Sequence, residues 1–261
     1  MEDFARAGYL AKGVVYLLIG LLAFQAAAGA GGAVTGPEGA FFTLLQQPLG
    51  RVLLGLTAVG LSGYAVWRLF CAAFDPERRE EHVKRIFVRI GYAGSGLAHA
   101  ALALEAGRLA LGRGGGGGGA GERAESWTAR VLDAPLGPWI VGAVAIGIAV
   151  YGVAQIVRGM GRKVEERLRL GELAPDERRL VIRVGRVGHV ARGIVFGIIG
   201  VLLMRAALDH NPQEAGGLGD ALATLARQPY SPFLLGGVAL GLAAYGAYQL
   251  VKARYRVIAA G

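Results

Sequence analysis

Lys12, Ser95 and Arg192 stand at one position of a pattern that occurs three times in this chain. Four residues further on, the same register holds Tyr16, His99 and Phe196. Residues four apart share a helix face, so each pair would point the same way. Two cations, a hydroxyl and an imidazole at matching places suit an anionic head group or a small anion. A pure scaffold has no need to vary chemistry at equivalent slots, whereas an asymmetric ligand does. Polar groups inside a membrane are costly, which makes each a functional candidate. A plainer role competes. Lys12 lies six positions beyond Arg6, about 9 Å at 1.5 Å per residue. Its long stem could snorkel to the cytoplasmic interface, and that of Arg192 could do the same.

The pattern itself is a short opening motif. Arg6-Ala7-Gly8-Tyr9-Leu10-Ala11-Lys12-Gly13 returns as Arg89-Ile90-Gly91-Tyr92-Ala93-Gly94-Ser95-Gly96. It returns again as Arg186-Val187-Gly188-His189-Val190-Ala191-Arg192-Gly193. A second pattern repeats with it. Pro48, Gly55, Gly60 and Tyr64 match Pro135, Gly142, Gly147 and Tyr151, and then Pro229, Gly236, Gly241 and Tyr245. Intervals of 7, 5 and 4 hold in every copy.

Each motif opens or punctuates a long apolar stretch. The chain of 261 residues is 54% hydrophobic and only 18% charged, against about 25% for soluble domains. Six stretches reach the roughly 20 apolar residues that a bilayer crossing needs. They lie near 7–28, 49–72, 89–111, 137–158, 187–208 and 231–251. Val190–Leu203 lacks the alternation of a barrel strand, and only helices or closed barrels satisfy the backbone in lipid. The fold expected is an all-α integral membrane protein, with six transmembrane helices as three parallel two-helix repeats. The repeats are 1–74, 75–160 and 161–261. Three such units could close as a pseudo-threefold bundle. The first span resembles a signal peptide, with small residues at Ala26-Ala27-Ala28. Its motif recurs inside the chain, so it reads as a retained helix.

Lys and Arg mark cytoplasmic loops. Placing both termini and the even-numbered loops on one side gathers 21 of the 28 basic residues there. This predicts a cell (inner or plasma) membrane protein with N- and C-termini in the cytoplasm. Its basic face would meet anionic head groups. Nothing in the motifs suggests nucleic acid.

The connecting segments follow from the same reading. Pro48, Pro135 and Pro229 would open the returning helices. Before them, Phe41–Gln47, Trp127–Ala134 and Ala221–Gln228 read as short helices on the outer interface. Residues 113–121 form a Gly-rich outer linker. Asp75 to Lys84 reads as a solvated helical turn, and Val164–Gly171 as a basic surface helix. Helix packing falls to small residues, because leucine gains nothing by leaving lipid. Gly13, Gly20, Gly60, Tyr64, Gly147, Tyr151, Gly193, Gly197, Gly237, Gly241 and Tyr245 are the residues expected to do it. Glu105 and Arg108 read as a local ion pair.

Cys71 is alone, so no intrachain disulfide or cysteine metal site can form. The four histidines show no ligand spacing. Ser95 and His99 share a face without an acidic partner to orient the imidazole. No enzyme, cofactor or metal is expected. The leading expectation is a non-catalytic structural or accessory protein that binds lipid or a membrane-protein partner. The alternative is a channel or carrier for a small anion or lipid between the three repeats.

The repeated motifs, with the Gln46-Gln47-Pro48-Leu49-Gly50-Arg51 stretch, resemble a bacterial membrane-protein family of unknown function numbered 1206. Its members carry three tandem two-helix domains. The resemblance implies membrane location and architecture and no activity. The second copy departs most, with Ser95 where the others are basic.

Overall fold

The computed structural model describes residues 2–74, 82–113, 120–161, 168, 171 and 173–255. Six long helices carry it: α1 (Glu2–Ala27), α3 (Gly50–Phe74), α4 (His82–Ala110), α6 (Gly137–Met160), α7 (Pro175–Leu208) and α9 (Ser231–Tyr255). Three short ones, α2 (Pro37–Leu45), α5 (Ala120–Leu132) and α8 (Leu218–Ala226), precede the returning helix of each copy. The expected surface helix at Val164–Gly171, most of the 113–121 linker and most of the 75–84 turn lie outside the described residues.

Five of the long helices are long and apolar enough to cross a membrane. The sixth, α4, has the length with its 29 residues but is more polar. His99, Glu105 and Arg108 lower its hydropathy over the stretch where a span was expected. Helix α7 starts twelve positions earlier than its apolar run, at Pro175, where Ala174 N–H donates to Glu177 Oε2. That bond caps the added basic turns.

The prolines are placed differently from expectation. Pro48, Pro135 and Pro229 sit in the turns before the helices. Leu49 and Tyr230, next in sequence, take left-handed backbone at φ 61°, and the helices begin only after them. Pro138 and Pro232 occupy the first turns instead.

Each long helix packs on the next in the order α4, α3, α1, α9, α7, α6. The tightest pairs are α1 with α9, α3 with α4, and α6 with α7. Each joins the first helix of one copy to the second helix of another. One register builds all three. A Cβ at Gly13 would lie 2.5 Å from Leu250, one at Gly96 2.7 Å from Leu69, and one at Gly193 2.6 Å from Ile156. These are matching positions, and at each a larger residue would force the facing side chain or backbone to shift. Within a copy, α1 packs on α3 and α7 on α9, whereas α4 and α6 make no extensive contact among the described residues.

Gly147 and Gly237 therefore do not serve the packing role expected of them, since both face open space. Gly197 does so through its backbone alone, which a Cβ at Gly152 would meet at 2.9 Å. Glu105 does not pair with Arg108. Arg123 of α5 binds it at 2.8 Å and reaches Glu38 of α2 at 3.4 Å. That clasp ties α2, α4 and α5 together at the ends of the long helices remote from both termini.

Candidate functional site

The buried polar centre is built from all six long helices. Helix α1 brings Lys12 and Tyr16, and α7 brings Arg192 and Phe196. Tyr64 comes from α3, His99 from α4, Tyr151 from α6 and Tyr245 from α9. Lys12 is 3% exposed and Arg192 6%. Neither snorkels. Both stems turn inward, because the glycines beside them draw α9 and α6 close enough to cover the side chains.

Arg192 is held by three hydroxyls. Its Nε donates to Tyr16 Oη at 3.2 Å, and its Nη1 donates to Tyr151 Oη and Tyr245 Oη at 3.0 Å each. Its guanidinium also faces the rings of Phe196 at 4.8 Å and Tyr245 at 4.9 Å. Lys12 is held by rings alone. Its Nζ lies 5.0 Å from the Tyr64 ring, 5.7 Å from Tyr245 and 5.9 Å from Tyr16. The two cations thus share Tyr16 and Tyr245, whose rings meet edge to face at 4.9 Å. A ring offers a cation about 0.5–2 kcal/mol, well short of the hydration that burial removes. Among the described residues neither cation has a carboxylate partner.

His99 lies 4.6 Å from the Tyr64 ring, and its Nδ1 is 2.7 Å from the Ser95 carbonyl. A carbonyl only accepts, so Nδ1 carries a proton and donates to it. Ser95 joins the centre through that carbonyl and not through its hydroxyl. The sequence-identified residues Lys12, Tyr16, Arg192, Phe196 and His99 therefore come together, with Ser95 at their edge.

Tyr64, Tyr151 and Tyr245 were expected only to pack. They are instead the floor and walls of the centre. Their signal was present, since a hydroxyl-bearing ring at one slot of every copy does more than fill space. One turn further, the same register holds Arg68, Gln155 and Gln249. Arg68 donates to Tyr64 Oη at 2.6 and 2.8 Å, and Gln249 Nε2 donates to Tyr245 Oη at 2.9 Å. Gln155 Nε2, Gln249 Oε1 and His189 Nδ1 are buried with no hydrogen-bond partner among the described residues. The arrangement offers positive charge and hydrogen-bond donors to an anion. It aligns no nucleophile with a base and an orienting acid.

A model of the Domain of Unknown Function (DUF1206) matches residues 7–75, 90–162 and 187–256, one match for each helix pair. The chain belongs to the DUF1206 family. Each DUF1206 unit contributes one tyrosine of the set Tyr64, Tyr151 and Tyr245, and one member of the set Lys12, Ser95 and Arg192. Another protein, the uncharacterized protein YxxB of Bacillus subtilis (strain 168), is 34% identical over 256 residues. That span is 98% of this chain and 91% of the relative. No solved structure matches.

Proposed function

We propose that this DUF1206 protein is a non-catalytic, six-pass protein of the cell membrane that binds an anionic group at the Lys12–Arg192 centre. The observation that carries the reading is two buried cations, Lys12 and Arg192, without a counter-charge among the described residues. A bare cation in a low-dielectric interior is unstable, and an anion bound between Lys12 and Arg192 supplies what both lack. The reading takes α4 as the sixth span. Its support is that His99, Ala103 and Ala106 face inward and that Glu105 is neutralised by Arg123. It arranges the three repeats around a pseudo-threefold axis, supported by the matched contacts of Gly13, Gly96 and Gly193. The start of α1 and the end of α9 lie together, joined by the bond from Arg6 to the Arg254 carbonyl. The excess of basic residues at that end supports its lying in the cytoplasm. The partners are membrane lipids with anionic head groups, and possession of a membrane-protein partner is compatible with the same surface; nucleic acid is not a partner.

The test is thermal unfolding of the purified protein in an uncharged detergent, titrated with inorganic phosphate and with dioctanoyl phosphatidylglycerol. A ligand that binds only the folded state raises the melting temperature. At least one of the two should raise it in the wild type and neither in the Lys12→Gln, Arg192→Gln double variant. Equal responses in both proteins, or none in either, would refute the reading.

A carrier of the same anion is the second reading, favoured because the cations lie inside the helices and not at their rim. Uptake of radiolabelled phosphate or phosphatidylglycerol across a proteoliposome membrane separates it from simple binding.

A further inference from the structure

The three copies differ at one interface, and that difference exposes the centre from the side. In the first copy a Cβ at Gly8 would lie 2.4 Å from Tyr64, and in the third a Cβ at Gly188 would lie 2.5 Å from Tyr245. Both helix pairs are shut. Gly91, the matching residue of the second copy, would meet nothing within 4 Å. One turn along, Gly60 closes on Ala11 and Gly241 on Ala191. Their counterparts Gly147 and Gly94 each face open space. The consequence reaches the tyrosines. Tyr64 and Tyr245 are 0% and 3% exposed, whereas Tyr151 is 37% exposed.

The exposed ring is not remote from the cations, because its hydroxyl accepts from Arg192 Nη1. Behind it on α6, Gln155 is 2% exposed and its Nε2 has no hydrogen-bond partner among the described residues. The flanks of the seam are apolar and open, with Ile90 and Leu97 on α4 and Val144 and Val150 on α6. The seam is not a general parting of the second copy. Beyond it, α4 is tied to α5 by the Glu105–Arg123 bridge.

We propose that the seam between α4 and α6 is a lateral port for an anionic phospholipid. Its phosphate sits against Arg192 and Lys12, with Gln155 as a further donor, and its acyl chains lie along the apolar flanks. The inference rests on the anion-binding reading above and adds the ligand class and the route. A side opening at this depth faces acyl chains, so a molecule entering it is an amphiphile. Two cations with no carboxylate select one that carries negative charge. The small residues at 91, 94 and 147 leave the width of a side chain at each level.

The experiment uses the full chain in nanodiscs of phosphatidylcholine doped with phosphatidylglycerol. Lipid retained after transfer to detergent is counted by native mass spectrometry. Proteins compared are the wild type, the port variants Gly94→Leu and Gly147→Leu, and Lys12→Gln. Melting temperatures confirm that each is folded. A parallel arm replaces phosphatidylglycerol with inorganic phosphate and reads the melting temperature. The wild type should retain phosphatidylglycerol over phosphatidylcholine, and both port variants and Lys12→Gln should lower its occupancy at least tenfold. Port variants that retain the lipid like the wild type would overturn the port while leaving the anion site standing. Stabilisation by phosphate without retention of phosphatidylglycerol would overturn it in the same way. A wild-type dimer that the port variants convert to monomer would make the seam a contact between copies and overturn the proposal. Failure of both arms would remove the anion site itself.

Discussion

Arg192 and Lys12 are both buried cations, but they are satisfied to different degrees. Arg192 has a fork of donors, three hydroxyls to receive them and four rings around it. Its role is partly structural. Arg192→Lys keeps the charge and loses the fork, so that the three bonds to Tyr16, Tyr151 and Tyr245 cannot all be kept. We expect a loss of about 1–3 kcal/mol, read by thermal unfolding in detergent. Lys12 has rings and no hydrogen bond to lose. Lys12→Met preserves the stem and removes an uncompensated charge, which at buried sites is neutral or stabilising. We expect the ligand-free protein to melt at the wild-type temperature or about 2–4 °C higher, with anion-induced stabilisation abolished. A strongly destabilised Lys12→Met would make Lys12 a structural cation and not a binding one. The sequence exposed both residues through their shared register. It did not reveal their inward turn, because snorkelling and burial require the same stem. Only the approach of α9 and α6 decides between them.

At the scale of the helix, the glycines divide into two kinds that look identical in sequence. Gly13, Gly96 and Gly193 admit a neighbouring helix, whereas Gly94, Gly142 and Gly147 face open space. Gly193→Leu would drive a side chain into the Gly152 carbonyl, which a Cβ alone would approach at 2.6 Å. Overpacking of this kind costs about 1–3 kcal/mol. Gly147→Leu should change stability by less than about 0.5 kcal/mol, as for other exposed positions. Both values follow from melting temperatures of the two variants beside the wild type. The small-residue rule finds candidates for close packing, but it cannot say which interface a given copy has lost. The outer clasp was also missed. Glu105 and Arg108 are near in sequence and Arg123 is not, yet α5 brings Arg123 to Glu105 and Glu38. Arg123→Ala removes the guanidinium that bridges Glu105 and Glu38, and we expect about 1–2 kcal/mol of destabilisation. If the variant melts like the wild type, the clasp contributes nothing.

For the whole molecule, period and charge made the architecture legible. Triplicated motifs located the six long helices and the three short ones before the returns, with edges displaced at Pro175 and at the three turn prolines. The order of packing was not legible, since tight pairs join different copies and the open positions Gly91, Gly94 and Gly147 leave no mark in the motif. Orientation is tested with Cys71→Ala as background. Arg113→Cys should react with an impermeant maleimide in intact cells, and Arg178→Cys only after the membrane is opened. The reverse pattern would invert the molecule. The account as a whole depends on an anion meeting the buried cations. The most direct measurement is solid-state magnetic resonance dephasing between lipid phosphorus and side-chain nitrogen in phosphatidylglycerol bilayers. Replacing Lys84, Lys163 and Lys252 by Arg leaves Lys12 as the single labelled lysine. The account predicts strong dephasing of Lys12 Nζ by phosphorus, reduced when Gly147→Leu is added. A Lys12 signal untouched by phosphorus in saturating phosphatidylglycerol would contradict it.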